Sequence, residues 1–144
     1  MEINQILFYA KDIIESENMQ RNKEFIQHGD VSIYHHCVNV AILSLKISNK
    51  LHLKVNKKSL IRGALLHDYF LYDWHKSGKT HKMHGFTHAK TALKNASDEY
   101  ELNKVEKDII KKHMFPLNIT PPRYKESIIV SISDKICAIK EIFD

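Results

Sequence analysis

Four side chains that can bind a metal ion lie on or beside apolar segments of the sequence: His36, Asp68, His113 and Asp134. A buried ionised carboxylate is destabilising by on the order of several kcal/mol unless it accepts hydrogen bonds, pairs with a cation or binds a metal. Imidazole nitrogen and carboxylate oxygen together suit divalent Mn, Fe, Co, Ni or Zn. A single metal centre would therefore explain all four residues, whereas a metal-free hydrogen-bonded cluster would leave its carboxylates in need of positive charge.

The helical spacing of apolar residues places these side chains on separate helices. A first amphipathic helix spans 3–14, and the polar stretch 16–23 ends or frays it. Asp30 suits the N-cap of a second, central helix that carries two apolar stripes and is mostly buried. A third helix begins near Asn56 and ends at Asp68, so its metal-binding residues come where an apolar face meets a loop.

The C-terminal half has a long loop and three further predicted helices. Residues 69–86 have no sustained period, and Thr87 caps a short helix that runs to residue 96. Asn103 opens the next helix with a capping box, and the spacing within it points His113 inward. The last helix follows Pro122. Its predicted buried stripe is Ile128, Ile132, Ile136, Ile139 and Phe143. No strand pattern appears, so the sequence predicts one all-α domain over 1–144, with five to seven helices.

Composition excludes several classes of protein. The 144 residues carry 22 Lys and Arg against 17 Asp and Glu, a net charge of +5, with 43% hydrophobic residues. These values are typical of a globular domain and exclude a disordered tail or a collagen. No glycine-rich phosphate loop is present. The lysines do not form an aromatic-studded basic run, so nucleic-acid binding is only weakly indicated, and the positive charge favours a small anionic substrate.

The two cysteines and the N-terminal sequence indicate the cellular compartment of the protein. Cys37 and Cys137 lie far apart among apolar neighbours, as expected for buried free thiols in a reducing environment. The apolar run at 6–10 is too short for a signal peptide or a membrane span. We therefore expect cytoplasmic residence and no membrane association.

Three segments of the sequence together resemble the HD-domain metal-dependent phosphohydrolases, and the match covers most of the chain. The segment at 36–41 (HCVNVA) resembles the family's first-histidine helix, and the segment at 64–68 (ALLHD) resembles its His-Asp dyad. Asp134-Lys135 resembles the family's last aspartate. The resemblance implies an all-α, HD-domain-like bundle and a metal-dependent phosphohydrolase. Its expected substrate is a small phosphate ester, either a phosphomonoester or a nucleotide.

The resemblance extends to the two-metal branch of that family, which uses additional histidines between the dyad and the last aspartate. The ligands implied for the first metal are His36, His67, Asp68 and Asp134. Those implied for the second metal are Asp68, His88 and His113, with Asp68 bridging. His84 is one turn before His88 and is an alternative ligand or a substrate contact. The implied cofactors are two divalent ions of Mn, Fe, Co, Ni, Zn or Mg.

Two metals that share a carboxylate would clamp a phosphate and hold a bridging hydroxide for in-line attack on phosphorus. Arg123 and Lys79 are the expected phosphate anchors, and the fork of Arg123 matches two oxygens at once. Asp73, His84 or His28 is expected to protonate the leaving oxygen.

Two other functions fit the same ligand set. One is a di-iron oxygenase, since some relatives put these ligands to that use. The other is a non-catalytic regulatory module in which the metal is structural. Hydrolysis is the favoured prediction because the basic charge suits an anionic ligand.

Overall fold

The computed structural model describes residues 2–28, 30–69, 81–116 and 119–143; for 26–28 and 81–88 it describes only the backbone. Seven α-helices and one short hairpin lie within these ranges. The helices are α1 (Glu2–Ile14), α2 (Glu17–Arg21), α3 (Ile33–Lys50), α4 (Lys57–Leu66), α5 (His81–Glu99), α6 (Lys104–Lys112) and α7 (Lys125–Phe143). The predicted all-α class is confirmed, and the number of described helices is within the predicted five to seven.

Helix α3 is central, as predicted, and packs against α4 and α7, while α6 packs against the other side of α4 and α7. Every residue of α4 from Ser59 to Leu66 is buried. The α4–α6 contact requires a glycine, because a Cβ atom on Gly63 would lie 2.4 Å from Cδ1 of Ile109. Helix α4 begins directly after Asn56, close to the predicted start, and Asn56 is its N-cap, since its side chain accepts a hydrogen bond from the Ser59 amide at 3.0 Å.

The predicted N-cap of α3 is wrong. Ser32 rather than Asp30 is the cap, and its hydroxyl accepts from the His35 amide at 3.2 Å. The residues just before it form an antiparallel hairpin, β1 (Ile26–His28) with β2 (Val31–Ser32). Strands of two or three residues are too short to show an alternating pattern, so no periodic signal predicted this hairpin.

The polar stretch at 16–23 was expected only to end or fray the first helix, but it forms structure of its own. Ser16 caps α2 by accepting from the Met19 amide at 3.2 Å, and Met19 is fully buried. A 3-10 turn at Asn22–Glu24 follows. A cap and two buried side chains, Met19 and Asn22, therefore accompany structure in a segment whose composition indicated a loop.

The predicted boundary between the long loop and the next helix is also wrong. Helix α5 begins at His81 and runs to Glu99, so Thr87 lies inside it and does not cap it. Gly85 had favoured a loop, but a single glycine is tolerated within a helix at a modest loss of stability. Residues 70–80 lie outside the described part of the chain.

The predicted buried stripe of the last helix is wrong. Ile132 is 48% exposed, Ile139 59% and Phe143 83%, and Ile128 and Ile136 are exposed as well. The opposite face packs inward and contains several polar residues. Its buried residues are Glu126, Ser127, Ile129, Val130, Ser131, Ser133, Cys137 and Glu141. Some of these polar groups hydrogen-bond to α6 and to the residue after it. The Ser127 hydroxyl donates to Asp108 at 2.6 Å, and the Ser131 hydroxyl donates to the His113 carbonyl at 3.2 Å.

Both thiols are free and buried, as predicted for Cys37 and Cys137. Among the described helices, none has both the length and the apolar character that crossing a membrane requires.

Candidate metal centre

Three helices bring four potential metal ligands together. His36 lies in the first turn of α3, His67 and Asp68 follow directly after α4, and Asp134 lies in the middle of α7. One ligand atom from each of the four lies within 4.8 Å of the others. His36, His67 and Asp68 are buried, and the Asp134 side chain is 13% exposed. The four residues predicted to bind the first metal therefore lie together in the structure, and their role as metal ligands stays a prediction.

Both imidazoles point the same nitrogen at the same two carboxylates. Nε2 of His36 lies 2.8 Å from Oδ1 of Asp134 and 3.4 Å from Oδ2 of Asp68. Nε2 of His67 lies 3.2 Å from each of these two oxygens. Two nitrogens and two oxygens therefore face one another across a small interior space.

The other nitrogen of each ring is held by an acceptor outside this group. Nδ1 of His67 donates to the Ala64 carbonyl at 2.5 Å, and Nδ1 of His36 donates to Glu141, with Oε1 at 2.8 Å and Oε2 at 3.0 Å. The prediction missed Glu141. A signal was available, because Glu141 is seven residues after Asp134, two turns along the same face of α7.

His113, directly after α6, is buried beside this group, as its spacing predicted. Its Nδ1 donates to the Ile110 carbonyl at 2.7 Å, and its Nε2 lies 3.3 Å from Oδ1 of Asp68. The two oxygens of Asp68 thus face different partners. Oδ2 faces His36 and His67, and Oδ1 faces His113.

The charges of the group shift its pKa values. Burial favours the neutral form of His36, but hydrogen bonds to Asp134, Asp68 and Glu141 outweigh burial and raise its pKa well above 6.5. The pKa of His67 is also raised against the effect of burial, chiefly by the charge of Asp68. Burial favours protonated Asp134, yet His67 and His36 hold the pKa of this carboxyl far below its ordinary value. In the metal-free protein, imidazolium ions therefore supply the positive charge that these carboxylates need.

These residues fit a divalent cation. Two imidazole nitrogens and two carboxylate oxygens are a donor set that suits Mn, Fe, Co, Ni or Zn. Acceptors at both Nδ1 atoms orient the rings as the outer-shell partners of metal-binding histidines commonly do. A bound cation would replace the imidazolium protons as the source of positive charge, so metal binding releases protons.

The structure describes the other predicted site residues to different extents. His84 and His88 lie one turn apart within α5, but their side chains are outside the described part, as is the side chain of His28. Asp73 and Lys79 lie in the segment that is not described, so their roles stay predictions.

Arg123 is described, and it lines a cavity of about 280 Å³ whose other lining residues are Lys104, Lys107, Asp108, Lys111, Lys112 and Tyr124. None of the four clustered ligands lines that cavity, and the role of Arg123 as a phosphate anchor stays a prediction. Lys135, which the prediction used only as part of a motif, donates from Nζ to the His113 carbonyl at 3.2 Å. It places a positive charge beside the candidate site.

Taken together, the fold and the site define an all-α protein with a buried His/Asp centre suited to a divalent metal. The family model of the HD domain matches residues 33–139, which include all four clustered ligands and His113. The match covers most of the chain, and the chain therefore belongs to the HD-domain family, whose members are in general metal-dependent phosphohydrolases. A comparison with curated proteins gives no match.

Proposed function

We propose that this protein is a phosphohydrolase that uses two divalent cations to cleave a small phosphate ester, either a phosphomonoester or a nucleotide. The proposal depends on one observation, which is that the two carboxylate oxygens of Asp68 face different side chains. Oδ2 faces the two imidazoles of the four-residue cluster, while Oδ1 faces His113 at 3.3 Å. A carboxylate arranged in this way can serve two neighbouring sites at once.

The proposed ligands of the first cation are His36, His67, Asp68 and Asp134. Those of the second are Asp68, His113 and His88. When bound, such ions supply positive charge to phosphoryl oxygens and lower the pKa of water, which makes hydrolysis feasible at neutral pH. No single side chain could supply both this positive charge and the lowered pKa of water.

The residues of the chain hold the donors in place. Burial keeps water away from His36 and His67, and the acceptors at their Nδ1 atoms keep both Nε2 atoms turned to the centre. The Ile110 carbonyl does the same for His113. Such preorganised groups need no rearrangement as charge develops on the substrate.

The anion preference has support in the charge near the site. Lys135 lies next to Asp134 in sequence, and its ammonium group contacts the backbone of His113. The chain as a whole is basic, with a net charge of +5. A positive field of this kind attracts anionic substrates over distances of about one Debye length.

For the test, bound metal is first removed from the chain, and Mn²⁺ or Co²⁺ is then added. Elemental analysis gives the metal content, and phosphate release is measured on an aryl phosphate, nucleotides and sugar phosphates. We expect two metal equivalents per chain and metal-dependent release of phosphate. Asp68→Ala should abolish both, while Asp98→Ala, which changes an exposed carboxylate on α5, should leave both unchanged.

His113→Ala separates the two proposed ions, because it should remove one metal equivalent and leave the other. A single equivalent in the unmodified chain would refute the two-metal proposal, and full metal content in Asp68→Ala would refute the bridging role. Consumption of dioxygen without phosphate release would indicate the oxygenase instead. A melting temperature that falls on chelation, with no ester hydrolysed, would indicate a structural metal.

A further inference from the structure

Glu141 is a buried carboxylate that faces His36 from outside the four-residue cluster. It lies two turns beyond Asp134 on α7, and only 8% of the residue is exposed. Both of its carboxylate oxygens are within 3.0 Å of Nδ1 of His36. Among the residues that the structure describes, His36 is the partner in all hydrogen bonds and ion pairs of the Glu141 carboxylate. Its charge is therefore directed at one ring nitrogen.

The opposite nitrogen of that ring is the one that faces the candidate metal centre. Nε2 of His36 points to Asp134 and Asp68, at 2.8 and 3.4 Å. Glu141 thus lies behind His36 as seen from the centre, and it contacts the ring on the side away from the other three ligands. A carboxylate in this position fixes the tautomer and the orientation of the ring and makes the ring a stronger donor.

The two histidines of the cluster differ in this respect. His67 is held from behind by the neutral backbone carbonyl of Ala64, whereas His36 is held by a charged side chain. A hydrogen bond to a charged acceptor is roughly twice as strong as one between neutral groups. Of the two histidines in the cluster, His36 is therefore the one whose orientation depends on a charged side chain.

We propose that Glu141 is a positioning residue of the metal centre, which sets the orientation and donor strength of His36 and so raises the affinity for a divalent cation. The inference rests on the metal site of the proposed function, but not on the reaction catalysed there. It concerns affinity, which is measured without any substrate.

The experiment is a titration of the metal-free chain with Mn²⁺ or Co²⁺. Calorimetry or competition with a chelating dye measures the affinity. Glu141→Ala removes the acceptor, and we expect the affinity to fall by about 10- to 100-fold. Glu141→Gln keeps an oxygen that can accept from Nδ1 but loses the charge, so its affinity should fall less. The Co²⁺ absorption spectrum should change in both variants, because the ligand field of His36 changes.

Glu126→Gln is the matched control. Glu126 lies on the same helix, is also 8% exposed, and accepts a hydrogen bond from the backbone amide of Asn56 at 2.8 Å, far from the centre. This substitution removes an equally buried charge, so it reports on any general loss of stability. We expect its metal affinity to stay within about twofold of the unmodified chain, since it has no contact with a ligand.

A cavity of about 360 Å³ beside Glu141 allows a second test. Its lining includes Asn39, Lys46, Cys137 and Lys140 together with Glu141. An external carboxylate such as acetate can therefore approach the space that Glu141→Ala leaves. Restored affinity in that variant, with no effect of acetate on the unmodified chain, would support the proposal.

Wild-type affinity in both Glu141 variants would overturn the proposal, and so would an equal loss in Glu126→Gln. A chain that binds cations with the expected ranking of variants but hydrolyses no ester would refute the proposed function and leave the role of Glu141 standing. A chain that binds no divalent cation at this centre would refute both.

Discussion

Helices α4 and α7 both position ligands of the candidate metal centre, but they differ in what they bury. The buried residues of α4 are mainly apolar, whereas many buried residues of α7 are polar or charged. Helix α4 is buried along eight consecutive residues, and its ligands His67 and Asp68 come just after its last turn. Helix α7 carries Asp134 in its middle and Glu141 near its end, and its isoleucines lie mainly on the exposed side. The apolar face that the sequence predicted for α4 is buried, whereas the buried face that it predicted for α7 is exposed.

The position of the ligand within the helix explains the difference. A ligand beyond the end of a helix leaves the helix free to bury a continuous apolar face. A ligand in the middle must share the buried face with the residues one and two turns away, and on α7 these include Ser127, Ser131 and Glu141. Because each of these polar groups has a partner inside, their burial is tolerated, and the isoleucines are left on the outside.

The largest expected effect on stability comes from shortening an apolar side chain of α4. Leu65→Ala should lower the free energy of unfolding by about 2–5 kcal/mol, because Leu65 is fully buried and its loss leaves a cavity. Leu51→Ala, at the exposed end of α3, is the control and should have little effect. Urea unfolding of the metal-free proteins measures both, and equal losses would contradict the contrast between buried and exposed positions.

A smaller loss is expected where α4 meets α6. Gly63→Ala should lower the free energy of unfolding by about 1–3 kcal/mol, since the new methyl group would overlap Cδ1 of Ile109. The loss occurs although alanine favours helix by about 1 kcal/mol over glycine.

Ile109→Val removes the overlapping atom and tests that explanation. The double variant Gly63→Ala/Ile109→Val should lose less stability than the sum of the two single changes. Strict additivity in the same unfolding assay would show that the overlap is not the cause.

In the metal-free protein, the stabilisation by His67 and the stabilisation by Asp134 should depend on pH in opposite directions. The pKa of His67 is raised, so its stabilisation is complete below about pH 6.5 and is lost as the pH rises through its pKa in the folded protein. The pKa of Asp134 is lowered, so its stabilisation is present above about pH 4 and is lost as the pH falls.

Unfolding curves recorded with a chelator between pH 3 and pH 9 would test these opposite dependences. Stability should be highest between the two ordinary pKa values. His67→Gln should flatten the decline on the alkaline side, and Asp134→Asn should flatten the decline on the acidic side. Unchanged slopes in both variants would show that other groups control the pH dependence.

The smallest effect is expected on the outer face of α7. Ile132→Gln should change the free energy of unfolding by no more than about 0.5 kcal/mol, because the side chain is 48% exposed and glutamine favours helix. Ile129→Gln, on the buried face of the same helix, should be far more destabilising. A large loss in Ile132→Gln would mean that another surface covers this face in solution.

Much of the site was predictable because metal ligands stand out in apolar surroundings. His36, Asp68, His113 and Asp134 were predicted as one centre, since a buried polar group must have a partner. His67 was added by the resemblance to the HD-domain phosphohydrolases. Glu141 was missed because it lies among other charged residues near the end of the sequence. Its spacing of seven residues from Asp134, itself predicted to be a buried ligand, was the available signal.

Local sequence also predicted most helices, through apolar spacing and the capping box at Asn103. It failed where elements are short or their signals compete. The hairpin before α3 has too few residues for a pattern, and the glycine in α5 suggested a loop where the helix continues.

The sequence by itself determined the helical class and the residues able to form the centre, because spacing and residue type are properties of the chain alone. Only the tertiary structure decided which face of α7 is buried and that each oxygen of Asp68 has a different partner. It also decided that Glu141 lies behind His36. These features depend on contacts between helices distant in sequence, where the free energy of satisfying buried polar groups outweighs the local preference of apolar residues for the interior.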